Sequence, residues 1–276
     1  MAISMLKPPE DLRNPTIVGF FHRHVVPIYF DFRKENEDKQ EIFTAFVVSV
    51  NDQWLLITAG HNIRYLKGIR AAGWIIEQCK LIDCMGTGAI DKTHLQPFDY
   101  DGSDPTALSD DPCYDYGILF IRDNTRALLE ANGVVALTEL SWEQVPEAAE
   151  IQEYKVLGIP AQFSAPTPDR AFFHSTLHRV EVLYERPEGF EETNAPMFYG
   201  RIKLGEVMTE AKGLSGAPIF AIATVDGRIR YWLHAMQVSW VRSDRTISGM
   251  LIKPLGTFLR EIMQGRRDHL FDQRWP

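Results

Sequence analysis

The sequence contains little cysteine: there are only three, Cys79, Cys84 and Cys113, among 276 residues. Small secreted folds that depend on disulfides carry a denser and usually even set, so no disulfide framework is predicted. The chain also has no apolar run of about 20 residues, the length a helix needs to cross a bilayer. Its N-terminus lacks an apolar stretch behind positive charges, so we predict no secretory leader and a cytoplasmic location.

Positive charge is also in deficit. The chain has 29 Lys and Arg against 37 Asp and Glu, which gives a formal net charge of -8. Binding to nucleic acid or to an anionic membrane draws on clustered Lys and Arg, so neither partner is predicted.

Metal ligands of the right types are present but poorly spaced. Cys79, Cys84, His94 and Cys113 include no compact ligand pair, so a structural zinc site is not expected. The acidic segment 99–111 holds five aspartates and could bind calcium, but a solvated loop is the favoured interpretation. We therefore predict no metal and no cofactor.

What the sequence does contain is a series of short β-rich segments separated by turn residues. Residues 43–61 hold two apolar runs on either side of Asn51 and Asp52, which predicts a hairpin. Residues 217–223 and 230–239 are two further strand candidates around an Asp-Gly turn. Many short strands of this kind predict an all-β barrel or sandwich.

Helical periodicity is found in two places. Residues 125–132 hold good helix formers before a glycine, and residues 254–264 place their apolar side chains on one helical face. Two helices among so many strands do not fit an alternating α/β fold.

Three short stretches hold the residue types that acyl transfer requires. In chain order they are Thr-Ala-Gly-His at 58–61, Asp-Tyr-Gly-Ile-Leu at 115–119 and Gly-Leu-Ser-Gly-Ala-Pro at 213–218. A serine hydroxyl is a weak nucleophile, so an imidazole must take its proton and a buried carboxylate must orient that imidazole. Glycines beside the serine let backbone N–H groups turn toward a developing oxyanion.

These stretches, in the order His, Asp, Ser, resemble those of the trypsin-like (chymotrypsin-fold) serine peptidases. The resemblance implies an all-β peptidase domain of two six-stranded β-barrels packed together, followed by a C-terminal α-helix. We place the N-terminal barrel at about 15–122, the C-terminal barrel at about 135–252 and the helix at about 254–264. The resemblance further implies a catalytic triad of His61, Asp115 and Ser215, with the N–H groups of Gly213 and Ser215 as the oxyanion hole.

A fourth match concerns substrate binding. Val-Ser-Trp at 238–240 resembles the segment with which that family pairs the substrate backbone as an added strand. The resemblance implies that Ser239, Trp240 and Val241 line the cleft, with Thr209 at the floor of the primary pocket. An uncharged floor and a β-branched rim predict cleavage after small or medium apolar residues.

Two positions depart from the family pattern. Leu214 stands where trypsin-like zymogens carry an aspartate that captures the freed N-terminus, so activation by N-terminal cleavage is not expected. Loop ordering or an activating protein partner would then be the switch. Ala217 replaces a glycine, a small change that should be tolerated.

The leading prediction is a serine endopeptidase that cleaves a specific intracellular protein through an acyl-enzyme. One alternative is a catalytically silent or conditionally active peptidase fold that serves as a protein-binding module. A third is an α/β-hydrolase esterase built on the glycines around Ser215, but that fold requires alternating strands and helices.

Overall fold

The computed structural model describes residues 20–82, 95–97, 106–108, 114–147, 150–161, 165–166, 171–172, 175–203 and 210–264. The strands are β1 (Ile28–Lys34), β2 (Glu37–Phe43), β3 (Phe46–Val50), β4 (Gln53–Ala59), β5 (Ile75–Ile82), β6 (Leu95–Pro97), β7 (Thr106–Leu108), β8 (Tyr116–Phe120), β9 (Leu137–Thr138), β10 (Glu153–Gly158), β11 (Ala165–Pro166), β12 (Ala171–Phe172), β13 (Thr176–Leu183), β14 (Met197–Ile202), β15 (Pro218–Val225), β16 (Arg228–Val241) and β17 (Thr246–Leu251). The helices are α1 (Gly60–Ala71), α2 (Asp123–Ala131), α3 (Leu140–Glu143) and α4 (Ile252–Met263).

The C-terminal half is a closed six-stranded barrel in the order β10-β13-β14-β17-β16-β15. Strand β16 is long enough to pair with β15 through its first part and with β17 through its second. The hairpin between β15 and β16 turns at Asp226 and Gly227, whose φ angles of 52° and 70° are those of a primed turn. Closure of the barrel buries apolar side chains from every strand, among them Val156, Val180, Ile202, Ile219, Ala235 and Ile247.

The N-terminal half consists of two sheets. One has five strands in the order β7-β8-β4-β3-β9, and the other has four in the order β2-β1-β5-β6. The β3–β4 hairpin turns at Asn51 and Asp52, both with positive φ. Helix α1 lays Ile63 and Leu66 on the core of this half, next to buried side chains of β1, β3 and β4. A bridge between Val25 and Phe46 brings the segment before β1 against β3.

Helix α4 closes the described chain and joins the two halves. Its residues Leu255, Phe258, Leu259 and Ile262 share one buried cluster with side chains of β3, β4, β8 and the barrel. Because one apolar face meets both halves, the helix fixes the N-terminal sheets against the barrel.

The predicted mostly β fold with a C-terminal helix is confirmed, and both predicted helices are found within three residues of their expected ends. Within the described ranges, the N-terminal half is two sheets and not one closed barrel, so the predicted N-terminal barrel is not confirmed. An alternating strand–helix architecture, which an α/β-hydrolase requires, is not what the element order shows. Helix α1 was not predicted, and its N-cap residue, Ala59, has no side chain that could cap the first turn.

Two further observations concern the sequence predictions. No helix among the described residues is long and apolar enough to cross a membrane. Cys79 is a buried cysteine on β5. Cys84, His94, Cys113 and the acidic segment between 99 and 111 lie outside the described residues, apart from the backbone of β7.

Candidate active site

His61 and Asp115 are brought together by the pairing of β4 with β8. The two strands run antiparallel with Ala59 opposite Tyr116, so the residues just outside the pair lie side by side. The Gly60 N–H donates to the Asp115 carbonyl over 2.8 Å and holds this junction closed. His61 follows directly, in the first turn of α1.

The carboxylate of Asp115 accepts two hydrogen bonds from His61. Its Oδ2 lies 2.6 Å from the imidazole Nδ1, and its Oδ1 accepts the His61 backbone N–H over 2.7 Å. With Nδ1 engaged as a donor, the tautomer is fixed and Nε2 becomes the nitrogen that can accept a proton. This is the orientation that a general base needs in a serine hydrolase.

Arg64, one turn further along α1, is a partner that the motif search did not find. Its guanidinium donates to Asp115 Oδ1, the oxygen that also accepts the His61 N–H. Burial raises the pKa of Asp115, but the hydrogen bond from His61 and the charges of His61 and Arg64 outweigh that effect, so the pKa lies below its ordinary value. Asp115 is therefore held as the carboxylate that the imidazole requires.

Ser215 lies in the turn that leads into β15, between two glycines with positive φ. Gly213 has φ +93° and Gly216 has φ +91°, a backbone conformation that residues with a side chain rarely adopt. Four successive carbonyls of the turn are each held by one donor: those of Lys212, Gly213, Leu214 and Ser215 accept from Ala161 N, Thr44 Oγ1, Ala217 N and Asn62 Nδ2.

The N–H groups of Gly213 and Ser215 are not used in this way. Among the hydrogen bonds of the described residues, neither amide donates to another group, whereas those of Leu214, Gly216 and Ala217 all do. A trans peptide points its N–H opposite to its C=O, and no cis bond occurs in the described chain. With the Lys212 and Leu214 carbonyls held, each of these two N–H groups is directed away from the donor that holds the carbonyl of its own peptide.

The turn that holds Ser215, residues 212–217 and here called the serine turn, lies against helix α1. Asn62, the residue after His61, donates its amide to the Ser215 carbonyl over 3.3 Å. In the described part of the chain the Ser215 hydroxyl and the His61 imidazole do not share a hydrogen bond. Such contacts are often long in free enzymes and tighten when substrate binds.

The predicted substrate segment lies at the end of β16. Beyond Gln237, this strand pairs with β17 alone among the described strands, which leaves its other edge open. The Ser239 hydroxyl lies 2.5 Å from that of Ser248 on β17, and Trp240 packs on the barrel core. Val241 faces the loop between β13 and β14, where a Cβ on Gly189 would lie 3.3 Å from both its methyl groups.

Thr209, the fourth predicted substrate residue, lies outside the described residues. Within those that are described, no three His, Cys, Asp or Glu side chains come close enough to hold a metal ion. The structure thus brings His61, Asp115 and the Ser215 turn together. It also adds Arg64, Thr44 and Asn62, polar residues outside the three motifs.

Solved structures provide matches of low identity. The inactive form of a mutant of Rv3671c from M. tuberculosis H37Rv is 17% identical, with a TM-score of 0.47 over 96% of this chain and 98% of that one. The protease Anisep from Arthrobacter nicotinovorans is 16% identical, with a TM-score of 0.44 over 83% and 90%. The catalytically active tobacco etch virus protease in complex with product is 9% identical, with a TM-score of 0.44 over 95% and 83%. No protein-family model and no curated protein sequence matches the chain.

Proposed function

We propose that the protein is a serine endopeptidase in which Ser215 is the nucleophile, His61 the general base and Asp115 the residue that orients the base. One observation carries the proposal. A carboxylate-bound imidazole lies beside a serine turn in which the carbonyls of residues 212–215 each accept a hydrogen bond, while the N–H groups of Gly213 and Ser215 donate to none of the described residues. Each part has a defined use in acyl transfer, and together they are a complete set.

The proposed reaction proceeds in two halves. His61 Nε2 takes the proton of the Ser215 hydroxyl as the oxygen attacks the substrate carbonyl, and Asp115 stabilises the imidazolium that forms. The N–H groups of Gly213 and Ser215 bind the oxyanion of the tetrahedral intermediate. The imidazolium then protonates the leaving amine. Water attacks the acyl carbonyl and gives a proton to His61, which then protonates the departing Ser215 oxygen, so that the carboxylic acid product leaves and the serine is restored.

Labelling with a fluorophosphonate probe tests this proposal. Such probes react with a serine whose base and oxyanion hole are assembled, so we expect one adduct per chain, on Ser215, mapped by peptide mass spectrometry. Ser215→Ala should abolish the adduct and lower the hydrolysis of a peptide substrate by at least about 10³-fold. Ser141→Ala, in helix α3, removes another serine hydroxyl and should label like the wild-type protein.

Two outcomes would decide against the proposal. An adduct on another serine would contradict the assignment of Ser215. No adduct at any pH from 6 to 9 would contradict a self-sufficient peptidase and favour the protein-binding alternative. If an added protein partner restored the adduct, the site would be conditionally active, as the sequence allows when Leu214 replaces the zymogen aspartate.

The proposed substrate adds a strand to the open edge of β16, with Val241 at the rim of the pocket for the residue before the scissile bond. A β-branched side chain packed beside Gly189 narrows that rim. We expect a peptide library to be cleaved after Ala, Val or Leu and not after Arg or Lys.

Val241→Gly should open the rim and improve kcat/KM for Phe over Ala before the scissile bond by about tenfold, because one extra or missing methylene in a hydrophobic pocket is worth roughly 10–200-fold. The ratio of kcat/KM between substrates with Ala and with Val before the scissile bond, measured on the wild-type protein, serves as the reference. A library profile that is the same in Val241→Gly and wild type would place Val241 outside the pocket.

A further inference from the structure

The peptide groups of the serine turn alternate in how they are held. Among the described residues, the 212–213 and 214–215 peptides are fixed only through their carbonyls, and their N–H groups have no acceptor there. The 213–214 and 215–216 peptides are fixed at both ends: their N–H groups donate to Ala211 and Gln237, and their carbonyls accept from side chains. The 214–215 peptide therefore sits between two peptides that cannot rotate without breaking hydrogen bonds, and the 212–213 peptide adjoins one of them.

Both side chains that hold these carbonyls belong to the half of the molecule that carries His61. Thr44, fully buried between β2 and β3, donates its hydroxyl to the Gly213 carbonyl over 2.8 Å. The Thr44 hydroxyl oxygen also accepts the N–H of Ile159 over 3.1 Å. One hydroxyl thus ties the serine turn to the strand end at β10, and its single donor hydrogen is used on the turn.

Asn62 reaches the turn from helix α1 and is tied to Thr44 through Thr58. Its Nδ2 donates to Thr58 Oγ1 over 3.0 Å and to the Ser215 carbonyl over 3.3 Å, which uses both amide hydrogens. The Thr58 hydroxyl in turn donates to the Thr44 carbonyl over 2.8 Å. Thr44 and Thr58 are fully buried and Asn62 nearly so, so no solvent competes for these contacts.

We propose that Thr44 and Asn62 are positioning residues that hold the oxyanion hole open from across the interface between the two halves. They touch no reacting atom. They fix the two peptides next to those that carry the Gly213 and Ser215 N–H groups. Asn62, on helix α1, also sets the serine turn at a defined place relative to His61. This inference rests on the proposed function, because an oxyanion hole has a role only if Ser215 is acylated.

Thr44→Val removes the hydrogen bond from Thr44 to the Gly213 carbonyl with little change of shape, because valine replaces the hydroxyl by a methyl group. The Gly213 carbonyl and the Ile159 N–H lose their partner, and the turn gains freedom to rotate. We expect kcat per titrated active site to fall about 10- to 100-fold while KM changes by less than about threefold, since the loss falls on the transition state. Affinity for a peptide boronate, whose adduct carries the tetrahedral oxygen, should fall in parallel.

Three further variants separate positioning from folding. Thr44→Ser keeps the hydroxyl and should recover kcat to within about threefold of wild type. Asn62→Ala frees the Ser215 carbonyl and should lower kcat about five- to tenfold, which provides a second test if Thr44→Val does not fold. Thr224→Val removes an exposed hydroxyl that bonds to Gln152 on the barrel, and should leave kcat unchanged.

Hydrogen exchange of residues 211–217 gives a readout that does not need catalysis. The Leu214 and Gly216 amides are bonded in the wild-type protein and should exchange faster in Thr44→Val and Asn62→Ala. Unchanged exchange, or an unchanged kcat per titrated site, overturns the inference even if the melting temperature falls. Absence of labelling in the wild-type protein overturns the proposed function instead. The exchange rates alone then decide whether Thr44 and Asn62 hold the serine turn.

Discussion

Asp115→Asn is expected to lower kcat/KM about 10⁴-fold while leaving the fold intact. The asparagine oxygen can still accept the His61 backbone N–H and the Arg64 guanidinium at the place of Oδ1. The amide nitrogen then faces Nδ1 in place of Oδ2 and offers it a hydrogen. The imidazole is driven to the tautomer with its hydrogen on Nε2, which cannot accept the serine proton.

Steady-state hydrolysis of a peptide substrate, with a thermal melt on the same sample, checks this result. Asp38→Asn is the charge-matched control: Asp38 pairs with Arg33 on the exposed face of the β1–β2 hairpin, so the same chemical change should cost less than about twofold in rate. A fall of less than about tenfold in Asp115→Asn, with an unchanged melt, would remove Asp115 from the proposed triad.

Much of the site could be predicted from the sequence because its parts are local. Each proposed catalytic residue sits in a stretch of four to six residues whose neighbours have a chemical reason to be there, such as the glycines on either side of Ser215. The hairpins were equally local, since Asn51–Asp52 and Asp226–Gly227 supply the positive φ angles that a tight turn needs.

The residues that support the site could not be found in this way. Thr44 is 169 positions before Gly213, and Asn62 is 153 before Ser215. Arg64 acts on Asp115 from 51 positions away. Nothing in the local sequence of a threonine or an arginine marks such contacts, because they exist only once the serine turn packs on the N-terminal half. Helix α1 was missed for a related reason. Its N-cap residue, Ala59, has no capping side chain, and the carboxylate that accepts the His61 N–H, Asp115, is 54 positions away.

Close packing at the serine turn leads to the second large effect, from a single added methyl group. Gly216→Ala is expected to destabilise the protein by about 4 kcal/mol and to lower the rate of fluorophosphonate labelling by more than about 100-fold. An alanine Cβ there would lie 2.3 Å from the Thr44 carbonyl oxygen and 2.6 Å from Thr58 Oγ1. The backbone N of Ala59 is 3.1 Å away, so no side-chain rotation relieves the contact.

Gly227→Ala separates this steric cost from the cost of the backbone conformation. Gly227 also has positive φ, +70°, but a Cβ there would meet nothing within 4 Å. That variant should therefore lose only about 1 kcal/mol, the strain of placing a side chain in the left-handed region, and should label normally. Urea unfolding of both variants, with equal m-values, measures the two costs. If Gly216→Ala lost no more stability than Gly227→Ala, the serine turn would not be packed against Thr44 and Thr58, and the tie between the two halves would have to be abandoned with it.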